Sequence, residues 1–295
     1  MESGLKPANK KLISVFIVPG ITLFCFAMLA PIFLALYYSF FDWESISKPM
    51  WSGLKNYSRL VGDKLFWFSL YNNLKLAVYT LVGQVGIGYL LAILLKSKMI
   101  RLGKFHRTVM FFPVVIGTVV LSFLWMLVYS DDFGIINNFL RMVGLGRFAT
   151  VWLSNPKVVV EALAVPLIWQ WFGFYMVIFM GAIETIPNEV LESAEIDGAN
   201  GIRRILYIFI PLTYDTLKVT VILCLGGIMK MFDHVLVMTG GGPGDSSMVL
   251  ALYAYKTSFN NFELGYGNTI SVGILLMSLT ITLLAKKLMG GKRYE

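Results

Sequence analysis

Charge is what this sequence has least of. Asp, Glu, Lys and Arg make up 14% of its 295 residues, and 57% are hydrophobic. An ordinary globular chain is about 25% charged. That deficit, with several apolar runs long enough to cross a bilayer, excludes a water-soluble fold and points to an integral membrane protein. Cysteine is nearly absent: Cys25 and Cys224 each stand alone inside an apolar stretch. They leave no disulfide framework and read as two small buried hydrophobes. Histidine is as scarce, and His106 and His234 lie far apart, so no His/Cys metal centre is expected. No G-x-x-x-x-G-K-[ST] loop occurs, so the chain lacks that phosphate cradle for ATP. The apolar runs hold no succession of Asp, Glu and His of the kind a proton-coupled pump uses. The net charge of +8 belongs to loops on the cytoplasmic face rather than to a nucleic-acid surface.

Six spans can be drawn: Ile13–Phe40, Phe68–Leu95, Thr108–Ser130, Val159–Ile183, Leu212–Thr239 and Gly267–Leu284. Each is near or above the roughly 20 residues that a spanning helix needs. Only helices satisfy their own backbone in lipid, so an all-α membrane protein is expected, with kinks at Pro31, Pro113 and Pro166. The first apolar run is too long for a signal-peptide core and reads as an uncleaved span. Aromatics at span ends, among them Tyr37, Tyr38, Phe40, Phe41 and Trp43, fit an interfacial belt. Residues 1–12, 96–107, 186–211 and 286–295 carry 14 basic residues over 60 positions; 41–67, 131–158 and 240–265 carry 8 over 81. Both termini are therefore expected in the cytoplasm. The organisation that follows is a cytoplasmic N-terminus over 1–12, a membrane domain over 13–284 and a cytoplasmic C-terminus over 285–295. Thr239–Asp245, TGGGPGD, reads as a flexible outward exit from the fifth span.

The polar insert 187–211, PNEVLESAEIDGANGIRRILYIFIP, is longer than a connector needs. Thr185 is the candidate N-cap of a helix with Pro187 in its first turn. Glu189, Glu192 and Glu195 recur every third residue and line one side, near the positive end of the helix dipole. Ser193 and Ala194 are small and would let another surface approach. Gly198 or Gly201 can take the positive φ that closes the helix. A second short helix, Ile202–Phe209, then leads to Pro211. With Arg203 and Arg204 as its only basic residues, the insert is the poorest in them of the inner loops between spans, so a protein partner explains its composition better than topology does.

Glu192-Ser193-Ala194, three residues, Gly198, nine residues, Ile208, one residue and Ile210-Pro211 resemble the EAA motif of the membrane subunits of binding-protein-dependent ABC importers. Ser193 stands for the first alanine of that pattern and Ile210 for its leucine. Phe232-Asp233 followed by Val237-Met238-Thr239-Gly240-Gly241-Gly242-Pro243 resembles the FD…LTGGGP segment of maltose- and glycerol-phosphate-type permeases. The likeness covers essentially the whole chain. It implies a six-span bundle of the type I ABC importer permease class, with a cytoplasmic coupling helix between spans four and five. It implies that Glu192, Ser193, Ala194, Asp197, Gly198 and Ala199 form the seat for a cytoplasmic ATPase subunit. Glu192 would make polar contact there, and Gly198 would make the turn. The implied partners are a second, non-identical permease, two ATPase subunits, an extracellular or periplasmic solute-binding protein, and the lipid of a bacterial cell membrane. ATP and Mg would sit on the ATPase, with no cofactor on this chain and no enzyme activity of its own.

For the solute, the fourth span offers Trp169-Gln170-Trp171-Phe172-Gly173-Phe174-Tyr175. Aromatic faces and an amide suit a sugar ring, and packing is the alternative for each. Gln170, Trp171, Phe174 and Tyr175 are the candidates there, joined by Thr118 in the third span and by Lys230 and Phe232 in the fifth. Lys230 either meets solute, snorkels outward or pairs with Asp233. Asp215 and Lys218 read as a local pair. A sugar or oligosaccharide is the expected cargo, with glycerol phosphate or a polyol as the alternative. An ion-coupled secondary transporter is the other functional class, and a membrane-embedded enzyme ranks last.

Overall fold

The computed structural model describes residues 10–96, 103–199 and 201–290. The ends of both terminal tails, residues 97–102 of the basic loop 96–107 and Asn200 lie outside the described residues. The chain divides into two compact units, one made of residues up to Gly62 with Ala254–Gly273, the other of Asp63–Tyr253 with the residues from Ile274 onward. In chain order the helices are α1 (Lys10–Phe24), α2 (Ala30–Tyr38), α3 (Lys55–Gly62), α4 (Lys64–Thr80), α5 (Ile87–Lys96), α6 (Gly103–Val115), α7 (Thr118–Val128), α8 (Ile135–Met142), α9 (Val159–Glu184) and α10 (Asn188–Ile196). They continue as α11 (Ile202–Arg204), α12 (Ile210–Leu212), α13 (Tyr214–Met229), α14 (Asp233–Met238), α15 (Leu250–Tyr255) and α16 (Leu264–Leu288). One wide π turn joins α1 to α2 and another joins α4 to α5.

The expected all-α class holds, apart from one two-residue ladder pairing Phe41–Asp42 (β1) with Met50–Trp51 (β2). In the first unit Asn56 Nδ2 donates to the carbonyls of Ser39 and Phe41, at 3.1 and 2.9 Å, and holds the chain at the foot of α2. The aromatics expected at the interface pack on one another there, with Phe40 stacked on Trp51 at 5.7 Å. Cys25 is exposed on its π turn, while Cys224 is buried. Only the second cysteine is therefore the buried hydrophobe that composition suggested.

Among the described residues four helices are long and apolar enough to cross a membrane unbroken, and two bent pairs bring the number to as many as six. Sequence expects a kink at Pro113 in the third span and an unbroken fifth span; both spans are broken outright. Phe105–Val115 and Thr118–Val128 meet at 99°. Pro113 supplies no N–H, and Gly117 is extended at φ −58°, ψ 134°, so the helical ladder stops between them. The fifth span stops at Lys230, which closes α13, and resumes at Asp233. Before it, Ile202–Leu212 meets Tyr214–Met229 at 77°.

Each interruption frees backbone groups that lipid cannot satisfy, and polar side chains take them up. Pro166 cannot donate to Ala162 O, four residues back in α9, and Tyr129 O–H donates to that carbonyl at 2.8 Å. Asn73 Nδ2 donates to Ile228 O at 2.7 Å, where α13 ends, and its Oδ1 accepts from Leu250 N at 2.9 Å, where α15 begins. Asn72 Nδ2 donates to Ser246 O and Met248 O, at 3.0 and 2.9 Å. The TGGGPGD segment is therefore not a loose exit. Ser247 is wholly buried, and its hydroxyl meets Thr239 Oγ1 at 2.8 Å.

Replacing Asn73 with leucine should lower stability by about 2 kcal/mol, because Leu250 N is left buried without an acceptor. Ile228 O keeps the donor Met231 N, which limits the loss. Thermal unfolding in detergent reads the change.

Helix α9 is the centre of the second unit and packs against α4, α5, α6, α7, α13 and α14. Val159, Leu163, Met176, Phe179 and Ile183 are completely buried along it. One core surrounds its first half and another its second half.

Candidate functional site

A cavity of about 360 Å³ opens beside the second half of α9. Six of the seven residues expected along a solute path line it: Thr118, Trp171, Phe174, Tyr175, Lys230 and Phe232. The local fold explains why they converge. Helix α9 carries Trp171, Phe174 and Tyr175 on one flank, at i, i+3 and i+4. The interruption after α13 turns Lys230 and Phe232 into the same space, and the break before α7 places Thr118 there. Trp171 meets Phe174 edge-on, with ring centres 5.9 Å apart. The seventh residue, Gln170, stands behind the wall at 1% exposure. Its Nε2 donates to Ile116 O at 3.1 Å, and its Oε1 lies 2.9 Å from His234 Nε2.

Sequence reasoning passed over three polar groups in this wall: Gln84, Asp233 and His234. Gln84 rides the π turn between α4 and α5 and donates from Nε2 to Leu167 O at 2.9 Å. Lys230 and Asp233 are both exposed and both line the cavity, yet they form no ion pair among the described residues. Lys218 and Asp215 do pair, at 2.8 Å. An ion pair that the sequence reading did not anticipate joins two apolar helices: Lys75 Nζ of α4 lies 2.6 Å from Glu161 Oε1 of α9. Tyr79 O–H donates to the same oxygen at 3.1 Å. None of these three residues lines the cavity.

The polar insert forms α10, a reversal, and a second helical stretch from Ile202 to Leu212. Thr185 does not cap α10: it closes α9, its hydroxyl donating back to Ala182 O at 2.7 Å. Pro187 holds the N-cap position instead. Glu189, Glu192, Ser193 and Glu195 are exposed. Leu191 and Ala194 turn inward and are 8% and 6% exposed, so Ala194 does not share the outer face with Ser193.

Asp197 ends the helix, and Gly198 adopts φ +73°. Gly198 N–H donates to Glu195 O at 3.1 Å, and Ala199 N–H to Ala194 O at 2.8 Å. This paired 5→2 and 6→1 closure needs the left-handed residue that glycine supplies. Gly201 also has positive φ, +55°. The insert is anchored rather than loose. Leu191 and Phe209 enter the core formed by Tyr89, Phe179 and Ile183, and Tyr89 O–H meets Thr213 Oγ1 at 3.0 Å. On the outside, Ile196 is 87% exposed and Ile202 73%, an apolar pair at the two ends of the reversal.

Residues 84–290 match the family described as binding-protein-dependent transport system inner membrane component. A probable ABC transporter permease protein, YurN of Bacillus subtilis (strain 168), is 34% identical over 95% of this chain and 96% of its own. The probable starch degradation products transport system permease protein AmyD of Thermoanaerobacterium thermosulfurigenes is 32% identical, covering 92% of this chain and 91% of its own. Among solved structures, a chain of a bacterial ABC transporter that imports the acidic polysaccharide alginate superposes with a TM-score of 0.82. It is 23% identical and covers 94% of both chains, a likeness of fold.

Proposed function

The chain belongs to the family of binding-protein-dependent transport system inner membrane components, and from that premise we propose that it is the permease subunit of an ATP-driven sugar importer, forming half of the path for an oligosaccharide delivered by an external binding protein. The observation that carries this reading is the convergence of Trp171, Phe174, Tyr175 and Phe232 with Lys230 and Asp233 on one cavity. Aromatic faces stack on the apolar faces of sugar rings, and the two opposite charges serve hydroxyl edges as donor and acceptor. Since Lys230 and Asp233 are opposite in sign, the wall has no net attraction for an anion. This disfavours glycerol phosphate as the cargo and favours a neutral sugar.

Helix α10 is the ATPase-coupling helix in this reading, with Glu192, Ser193, Asp197, Gly198 and Ala199 at the seat. Ala194 supports it from within. ATP and Mg belong to two cytoplasmic ATPase subunits, and a second, non-identical permease completes the path. Both termini then face the cytoplasm, as the basic residues of the loops require.

The test is to purify the chain from membranes with what binds it, reconstitute the assembly, and measure uptake of labelled malto-oligosaccharide, lactose and arabino-oligosaccharide. ATP-dependent uptake is expected. Uptake driven by an ion gradient without ATP would assign a secondary transporter instead. Trp171→Ala should raise the KM for uptake about tenfold, the equivalent of about 1.4 kcal/mol, with a smaller effect on maximal rate.

A further inference from the structure

Both interrupted spans meet at one buried imidazole. His234 lies in the first turn of α14, just past the break that ends α13, and is 3% exposed. Its Nδ1 is 2.9 Å from Ser122 Oγ in α7, and its Nε2 is 2.9 Å from Gln170 Oε1 in α9. Gln170 reaches onward to Ile116 O, the carbonyl freed where α6 and α7 part. Ser122 also reaches back to Thr118 O, at 2.8 Å. His234 and Thr118 both line the cavity.

The proton inventory of this chain is restrictive. Ile116 O only accepts, so the amide nitrogen of Gln170 faces it and the amide oxygen faces His234. His234 therefore donates from Nε2, and in the neutral ring Nδ1 is the acceptor. Ser122 owns one hydroxyl proton and has two acceptors in reach, His234 Nδ1 and Thr118 O. The hydroxyl has two discrete positions, one tying α7 to α14 and the other closing α7 on itself. A junction with two discrete arrangements is what coupling between sites requires.

We propose that His234 is a positioning residue that links the filling of the cavity to the break between α6 and α7, acting through Gln170 on one side and Ser122 on the other. The inference rests on the transport reading above. Solute entering against Lys230, Phe232 and Asp233 displaces the start of α14. His234 carries that displacement to the Ile116 carbonyl and to the first turn of α7, so that the third span bends or straightens in step with loading. The triad Ser122–His234–Gln170 accounts for why polar groups are placed in an apolar wall although Gln170 itself has no face on the cavity.

The experiment compares His234→Ala, His234→Asn and His234→Gln in the reconstituted assembly, with labelled malto-oligosaccharide, lactose and arabino-oligosaccharide as probes. Glutamine places its terminal amide near the Nε2 position and keeps the Gln170 link. Asparagine reaches only as far as Nδ1 and keeps the Ser122 link. The maximal uptake rate should fall about tenfold in the alanine and asparagine variants, as expected for an orphaned buried partner. KM should stay within about twofold, and glutamine should recover only part of the rate, to about threefold below the unaltered chain, because the Ser122 link stays broken.

Ser122→Ala breaks the other link by removing one atom, and it carries the test if His234→Ala does not accumulate. A fall in maximal rate supports the inference there, and an unchanged rate overturns it. Equal loss in all three His234 variants, glutamine included, would mean packing alone and overturns it; so does no loss in any. If the unaltered assembly takes up none of the probes with ATP, the transport reading itself fails and the inference falls with it, an outcome distinct from the other two.

Discussion

Exchanging Ile196 for glutamate is expected to strip the ATPase from the purified assembly and to reduce ATP-driven uptake by about 10- to 100-fold. Ile196 is an isoleucine 87% exposed at the end of an acidic helix. Its neighbours on that helix, Glu189, Glu192 and Glu195, are exposed as well. No described residue covers it, so its apolar surface is spent only if a partner buries it. Burying a side chain of this size contributes about 1.5–3 kcal/mol, which corresponds to that range in a binding constant. Glutamate removes the apolar contact and adds a fourth carboxylate to the same short helix. The chain itself should accumulate normally, because the residue packs on nothing internal. Co-purification of ATPase with the altered chain in unchanged yield would show that α10 is not the seat. Ile196→Val is the matching control and should lose little.

The reach of the sequence is clearest at α10. The motif spacing located the insert, and the glycine at 198 announced a left-handed turn, which the backbone adopts at φ +73°. Pairing Ala194 with Ser193 on the outer face was an error of periodicity. Residues 191 and 194 are three apart and share a face, and Leu191 is an inward residue. Thr185 closes α9 rather than opening α10, and sequence does not separate the two because a hydroxyl near a proline fits either end.

The broken spans were not legible for a different reason. Thr108–Ser130 carries no charged residue, and a proline inside such a run reads equally well as a kink or as a stop. What decides between them is a polar side chain from elsewhere that takes up the freed carbonyl. For the third span that side chain is Gln170, 54 positions from the carbonyl it serves. Asn72 and Asn73 gave a usable signal, adjacent amides inside an apolar helix. Their partners, 155 to 177 positions away, could not be read from spacing. His234 was set aside because a lone histidine has no metal partner, and its role with two neutral side chains left no pattern in sequence.

The largest loss of stability is expected from Gly173→Val, which should prevent accumulation of the folded chain in membranes. At this residue α9 crosses α6 backbone to backbone. A Cβ on Gly173 would fall on the Met110 carbonyl and lie 3.0 Å from the Cα of Phe111. Backbone cannot rotate aside as a side chain can. Nor can α9 retreat toward α5, since a Cβ on Gly88 would already be 2.9 Å from Met176 N and from Phe172 O. The helix is held between two neighbours at near-contact distance, the arrangement that small residues permit where membrane helices pack. Overpacking costs about 1–3 kcal/mol where a core can give; here it cannot, and about 3 kcal/mol or more is expected. The site is affected along with the fold, because Trp171, Phe174 and Tyr175 flank Gly173 and would be carried off the cavity wall. Gly181→Ala in the same helix discriminates this account from general intolerance of α9. Its Cβ would meet nothing within 4 Å, so alanine there should be neutral or add about 0.5–1 kcal/mol through helix propensity. Membrane yield and thermal unfolding in detergent, measured for both variants, separate a close crossing from a merely sensitive helix.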